Sequence, residues 1–481
     1  MTLAARIDAL AGRADPVLHD RHGAMSGQAL HAALTRVGSS IAPGERVVVL
    51  APPDRSYVAT VLGVMRAGGV AVPLSPLHPA LELQRLAESA DPRVVLLDPT
   101  LDDRRAAFAA HRVDDPTQIC GDQALPAVLG AHQPALMLFT SGTTGRPKGA
   151  LLSHENLDVQ LDVLGRAWGV TASDRLLHAL PLHHMHGVAI ALFNVLLNGG
   201  SVELLPRFDA AGVWDALSRS TIWMSVPTML HRMLEALDAA EPAVRARWAE
   251  GARGLRLTTS GSAALPVRLA ERWRAVAGEV PLERFGMTEI GVGSTNPLRG
   301  ERRPGTVGHP LPTVETRIVD EAGRDAEEGE LLIRGPSVFL GYFRREDATR
   351  EAFVDGWFRT GDVARRDADG YLALLGRASV DILKSGGYKL SALEIEEALR
   401  EHEGVSEVAV IGLPDEVWGD RVTACVVRRD EALDEAELRA FAKDRLAHYK
   451  VPRAFVFLPE LPRNAMGKVM KPELRRRLEQ A

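Results

Sequence analysis

A chain of 481 residues exceeds one ordinary hydrophobic core, so two or more domains are expected. Its 46% hydrophobic and 25% charged residues are those of a soluble globular protein, and a net charge of −6 argues against nucleic-acid binding as its main business. No apolar run is long enough to span a membrane. The two cysteines, Cys120 and Cys425, match no metal-ligand spacing, and a reducing compartment is the simple reading.

The amino-terminal "MTLAARIDALAGRADP" lacks the apolar centre of a signal peptide, and Asp8 and Asp15 count against a targeting helix; it reads as the first helix of a cytoplasmic protein. Between residues 40 and 150, short β-branched runs ("RVVVLAP", "VAVPLS", "RVVLLD") alternate with helical patterns ("SYVATVLGVMRAGG", "LELQRLAESA"), the mark of a parallel sheet with crossover helices. "PALMLF" reads as a buried strand, and "SHENL" opens an amphipathic helix with Ser153 near its start. Between them lies "TSGTTGRPKGA", Thr140 to Ala150, placed by this reading between a strand and a helix. Its glycines permit close backbone approach, and its hydroxyls, free amides and Lys148 are what phosphate oxygens require. It is not a Walker A loop, because Gly-Lys-Ser/Thr does not appear at the required spacing. The strand-helix rhythm recurs through "SVELLP", "WDALSRS", "TIWMSVP" and "TMLHRMLEALDAA". After residue 310 the texture changes to short strands and turns, expected to form a small antiparallel sheet or barrel. The last hundred residues read as helix "SALEIEEALREH", strands "VSEVAVIGLP" and "VTACVVRR", and helix "LDEAELRAFAKDRLA". The expected fold is α/β: a large N-terminal domain, 1–380, of parallel and mixed sheets with helices plus a barrel-like part, hinged to a small α+β C-terminal domain, 381–481.

Four further segments stand out beside the loop: "RFGMTE" ending in Glu289, "GWFRTGD" ending in Asp362, "GRASVDILKSGGYKL" with Arg377, Asp381 and Lys384, and "PRNAMGKVMK" with Lys468. In this order they resemble the core motifs of the adenylate-forming superfamily of acyl-CoA synthetases, peptide-synthetase adenylation domains and luciferases, over nearly the whole chain. The resemblance implies attack of a carboxylate on the α-phosphorus of ATP, giving an acyl-adenylate and pyrophosphate, then capture of the acyl group by the thiol of CoA. Bringing two anions together requires cations and donors placed where charge moves.

The resemblance implies roles residue by residue. Thr140, Ser141, Gly142, Thr143, Thr144, Gly145 and Lys148 would cradle the β- and γ-phosphates. Glu289 would hold Mg²⁺, and Thr288 would bond the α-phosphate. Asp362 and Arg377 would hold the ribose. Phe285, where many relatives carry Tyr, would lie against adenine with Gly286 and Met287 beside it. Ser260, Gly261 and Ser262 would wrap the adenine and the acyl group. Lys468, a mobile point charge, would bridge carboxylate and α-phosphate in the transition state. Asp381 matches the hinge, with one residue more after Arg377 than the common spacing, and Lys384, Ser385, Gly386, Gly387 and Tyr388 would line the thiol tunnel.

For the acid, "PLHHMHG" supplies His186, which in the family closes the acyl pocket. Arg232 in "VPTMLHRML" and Arg302 and Arg303 in "STNPLRGERRPGTVG" are candidates to clamp a second carboxylate, which a planar guanidinium matches. These stretches resemble the malonyl-CoA synthetase branch, implying malonate with methylmalonate tolerated. The alternative is a short- or medium-chain monocarboxylate, and less so a luciferase-like or carrier-loading enzyme. A monomer or weak oligomer is expected.

Overall fold

The computed structural model describes residues 1–119, 121–140, 147–385, 388–415, 417–464 and 467–480. Among them four sheets carry the architecture. The first is built on parallel strands Arg46–Leu50, Val70–Pro73, Val94–Leu97 and Pro134–Thr140, with helices Arg55–Arg66 and Ala80–Ala90 as crossovers. Val47, Val48, Val49 and Leu50 are all buried because helices cover both faces of the sheet, which is why the run is apolar without alternation. Asp54 starts the first crossover helix by accepting from the Ser56 amide.

One expectation needs correction. Lys148–Ser153 is a strand, paired antiparallel with Pro134–Thr140 in a register that sets Thr140 opposite Lys148. The glycine-rich stretch therefore joins two strands of a hairpin, and does not run from strand into helix. The strand holds only six residues, too few to show a period, yet its Ala150 and Leu152 are buried in the core. Helix His154–Ala167 follows at once, closed by a reciprocal capping box between Ser153 and Asn156.

The second sheet runs parallel through Ser201–Leu204, Arg175–His178, Ile222–Ser225, Leu257–Ser260 and Leu282–Met287, then turns antiparallel into Gly291–Thr295. The carboxyl ends of its parallel strands deliver His178, Ser225, Ser260 and Met287 to one edge, where open α/β sheets bind ligands. The third sheet is antiparallel, as expected after residue 310, with Glu315–Val319, Glu328–Arg334, Trp357–Arg366 and Leu372–Arg377. Its register sets Asp362 directly opposite Arg377.

The fourth sheet holds Ile382–Ser385, Tyr388–Ser391, Val405–Asp415, Gly419–Arg428 and Ala454–Phe457, flanked by helices Ala392–Arg400, Glu435–Arg445 and Lys471–Glu479. The hydrophobic cores divide with it: the buried members on one side run from Leu3 to Leu372, on the other from Leu383 to Leu474. The two parts meet where Glu397 Oε1 accepts from the Val267 amide (2.8 Å) and Arg268 Nη1 donates to the Arg400 carbonyl (3.2 Å). Among the described residues no helix is long and apolar enough to cross a membrane.

Candidate active site

On the nucleotide side, Asp362 and Arg377 are cross-strand partners, and Arg377 Nε lies 3.0 Å from Asp362 Oδ1 while its Nη1 donates to the Thr360 carbonyl (2.6 Å). Asp362 Oδ2 is buried with no partner among the described residues, an acceptor left open. Burial raises the Asp362 carboxyl to about 6, against the pull of Arg377 and Lys468.

Glu289 follows strand Leu282–Met287 in the tight turn before Gly291–Thr295. It is buried, and Tyr342 donates to its Oε1 (2.8 Å). Burial and that carboxylate hold the Tyr342 phenol far above its ordinary range. Lys148 Nζ sits 5.0 Å from the centre of the Tyr342 ring, so the phosphate-loop lysine and Glu289 meet at one tyrosine. Residue 286 has to be glycine, since a Cβ there would stand 2.2 Å from the Gly291 carbonyl. Met287 and Thr288 are half-buried at the same edge. Phe285 is packed into the main core and leaves little ring face for a base. Ser141, Gly142, Thr143, Thr144 and Gly145 lie outside the described residues, as do Gly386 and Gly387.

The acyl side is built around an arginine that the sequence reading passed over although it quoted the motif it begins. Arg284 is 3% exposed, and its Nε and Nη2 have no partner among the described residues. Desolvation pulls its pKa down to about 10. Its sequence neighbour Glu283 cannot neutralise it, because successive strand residues point to opposite faces. Glu283 instead accepts from the Leu265 amide (3.1 Å), and burial pushes its carboxyl up to about 8. Gly261 lies against the guanidinium: a Cβ there would be 2.5 Å from Arg284 Cζ. Ser262, at φ +69°, holds a left-handed conformation unusual for serine and places its Oγ 3.2 Å from His186 Nδ1. His186 is buried at the start of the helical segment His186–Phe193, its Nε2 unpartnered among the described residues. Burial and the Arg284 charge hold it neutral, well below the ordinary histidine range. Ser260 Oγ, at the end of its strand, is likewise buried and unpartnered among the described residues. Arg284, Gly261, His186 and Ser260 are thus buried together, with exposed Ser262 at their edge, and Arg284, His186 and Ser260 each keep a polar atom unpartnered among the described residues.

Two of the arginines predicted for this site, Arg302 and Arg303, are engaged by other partners. Arg302 is spent on backbone, donating to the carbonyls of Val280 (2.9 Å), Leu298 (3.1 Å) and Pro297 (3.3 Å). Arg303 is paired with Glu301, Asp367 and Asp369 and covers the Tyr371 ring. Arg302 is paired with Glu279 as well (3.0 Å), so both guanidinium groups are already held by protein partners. Arg232 is exposed on helix Pro227–Ala239, one turn after Thr228 and on its face.

Thr228 marks the approach of the C-terminal domain, because a Cβ on Gly467 would stand 2.9 Å from its Oγ1. The next residue is Lys468, presented by a tight turn in which Asn464 Oδ1 accepts from the Lys468 amide (3.0 Å) and the Asn464 amide donates to the Lys468 carbonyl (2.9 Å). Solvent still reaches Lys468, but protein crowds around it; that desolvation and Arg377 lower its pKa, opposed by Asp381 and Asp362. Lys468 thus lies within electrostatic reach of the Asp362–Arg377 pair. Lys384 pairs with Glu321 and its amide donates to Asp420 (2.8 Å), Ser385 pairs with Gly419 across the sheet, and Tyr388 stacks on Tyr449.

An α/β fold that sets a buried carboxylate with one open oxygen beside Arg377, and a buried arginine beside a neutral histidine at the ends of the parallel strands, is the fold of an enzyme that works on a nucleotide. The chain belongs to the AMP-binding enzyme family: the model of that family matches residues 12–343, and the model of the AMP-binding enzyme C-terminal domain matches 394–468. It is 41% identical to the mitochondrial malonate–CoA ligase ACSF3 of Mus musculus, over 90% of this chain and 82% of that protein. It superposes on ATP-bound MatB from Rhodopseudomonas palustris with a TM-score of 0.90 at 34% identity, covering 100% and 99% of the two chains. On a malonyl-CoA ligase ternary product complex holding methylmalonyl-CoA and AMP, the TM-score is 0.69 at 40% identity, covering 93% and 96%.

Proposed function

We propose that this protein is an AMP-forming malonate–CoA ligase, with methylmalonate as a second substrate. Malonate and ATP give malonyl-adenylate and pyrophosphate, and CoA then gives malonyl-CoA and AMP. The observation that carries the acid is Arg284, a buried guanidinium whose Nε and Nη2 have no partner among the described residues. A charge buried without a counter-charge is costly, and a second carboxylate relieves that cost, whereas a monocarboxylate leaves it. His186, neutral and bonded to Ser262, closes the pocket without adding charge. Arg232 is a candidate for the pocket mouth.

Adenylation requires one carboxylate of malonate to approach the α-phosphate. Lys468 would neutralise both as they meet, a contact made only in the transition state. Asp362 Oδ2 would accept the ribose hydroxyls, and Thr140 and Lys148 would serve the outer phosphates. The residues present fit Mg²⁺: Glu289 is a buried hard oxygen donor steadied by Tyr342, of the kind magnesium shares with substrate phosphates. When bound, the ion would neutralise phosphate charge.

For the thioester step, Lys468 has to leave and the 384–388 loop has to arrive, by rotation about Asp381. The test is pyrophosphate release with ATP and CoA over malonate, methylmalonate, sulfoacetate, acetate, butyrate and octanoate. Malonate is expected to lead by at least about 10²-fold in kcat/KM over butyrate; preference for a monocarboxylate would remove the malonate assignment.

A further inference from the structure

Asp381 is served from both sides. Its Oδ2 accepts from the Arg377 amide (3.0 Å), in a turn closed by the Asp381 amide donating to the Arg377 carbonyl (2.8 Å). Its Oδ1 receives Lys471 Nζ (2.5 Å) from the first residue of the last helix, Lys471–Glu479. Lys471 is 8% exposed and also meets Glu396 Oε1 (2.6 Å), while Glu396 Oε2 is held by Arg400 (2.9 Å). Burial disfavours its charge, but Glu396 and Asp381 outweigh that, so its pKa is raised and it stays an ammonium. Because Arg377 in turn grips Asp362, one continuous chain of bonds runs from the nucleotide side through Asp381 into the C-terminal domain. Lys471 lies three residues after Lys468, across the bridge between Arg463 and Val469 that closes the Lys468 turn.

We infer that Lys471 is a positioning residue for adenylation: by tying the hinge carboxylate of Asp381 to the helix behind the Lys468 turn, it fixes where Lys468 stands over the Asp362–Arg377 site. Lys471 does not touch the reacting atoms. Its contribution is needed while Lys468 is in the cleft and not after Lys468 has left, so the two half-reactions should respond differently to its loss. The inference rests on the proposed malonate–CoA ligase reading and on Asp381 as hinge.

The experiment measures the half-reactions separately in the full-length protein. Adenylation is followed as malonate-dependent exchange of labelled pyrophosphate into ATP. The thioester step is followed in reverse, as AMP-dependent release of free thiol from malonyl-CoA, in which the thioester bond breaks, the acyl–phosphate bond forms and CoA leaves with its proton. Lys471→Met, of similar length and apolar, is expected to lower the exchange kcat by roughly 10- to 100-fold with the KM for ATP within about threefold, and thiol release by less than about threefold. Lys471→Arg keeps the charge and should recover most of the exchange. Asp381→Asn, which fills the same space, should show the same split should the methionine variant fold poorly. Glu396→Gln, inside the C-terminal domain, should lower the melting temperature and leave the ratio of the two half-reactions near that of the wild type. Equal losses in both half-reactions for Lys471→Met and Asp381→Asn would overturn the inference, as would unchanged exchange. Absence of malonate-dependent exchange in the wild type would instead overturn the proposed function.

Discussion

Replacing Arg284 by methionine sets two properties of the protein against each other. In the wild type the guanidinium is buried and its pKa falls from 12.5 to about 10, a desolvation cost of roughly 3 kcal/mol at 1.36 kcal/mol per unit. No partner among the described residues recovers that cost for Nε or Nη2. Methionine removes the charge and keeps an unbranched chain, so the folded protein should become more stable, by an amount on the order of 1–3 kcal/mol. The same change removes the counter-charge for the second carboxylate of malonate. A loss of roughly 3 kcal/mol corresponds to about a 10²-fold fall in kcat/KM for malonate. Butyrate never uses the charge, so its kcat/KM should hold or rise. The assay is pyrophosphate release at graded malonate and butyrate concentrations, alongside thermal unfolding of both proteins without substrate. If malonate and butyrate decline by the same factor, Arg284 is a structural residue and the acid is recognised elsewhere. If the variant unfolds at a lower temperature, the guanidinium already has a partner and the argument from its isolation fails.

Lys468→Ala should slow malonate-dependent pyrophosphate exchange by roughly 10²–10³ and spare thiol release from malonyl-CoA; equal losses would remove its adenylation role. Arg302→Ala should destabilise the fold by roughly 2–4 kcal/mol, since it leaves three backbone carbonyls without their donor, and should leave the malonate-to-butyrate ratio unchanged. Glu283→Gln separates the wild type from the variant by pH. The carboxyl is raised from 4.5 to about 8 in the folded state, so its favourable contribution is full below about pH 4.5 and is lost as pH rises through about 8, at roughly 1.4 kcal/mol per unit. The variant should therefore gain in melting temperature relative to the wild type across that window and hold a constant lead above it; a gap independent of pH would show that Glu283 is ionised throughout.

The large outlines were legible because they follow from pattern. Apolar runs such as Val47–Leu50 and the helix Arg55–Arg66 survive into the structure unchanged, since the strand is buried on two faces and the helix from Tyr57 to Arg66 on every side, and such burial writes itself into composition. The strand Lys148–Ser153 was not legible, being six residues long and decided by its pairing with Pro134–Thr140. Among the site residues, Asp362 and Arg377 were named separately, but only the register makes them partners. The arginines Arg302 and Arg303 looked free because a sequence does not show carbonyl oxygens or the distant Asp367 and Asp369. Arg284 was legible in retrospect: two charged residues inside "PLERFGM", an otherwise buried strand, have to be explained by something other than solvent. Tyr342 and Lys471 carried no such mark, since their partners Glu289 and Asp381 lie 53 and 90 residues away.

The contact between Gly261 and Arg284 also constrains the order in which such a pocket can change its diet over generations. A side chain at 261 that comes first has to displace the guanidinium, because its Cβ would meet it at 2.5 Å. Loss of Arg284 can come first without that displacement, and it leaves room beside the 260–262 turn. A descendant that took up larger, uncharged acids would then fill that room from position 261, and the arginine would return only by shifting against it. The step away from a two-carboxylate acid is thus easier in one direction than in the other, a bias set by one missing methyl group.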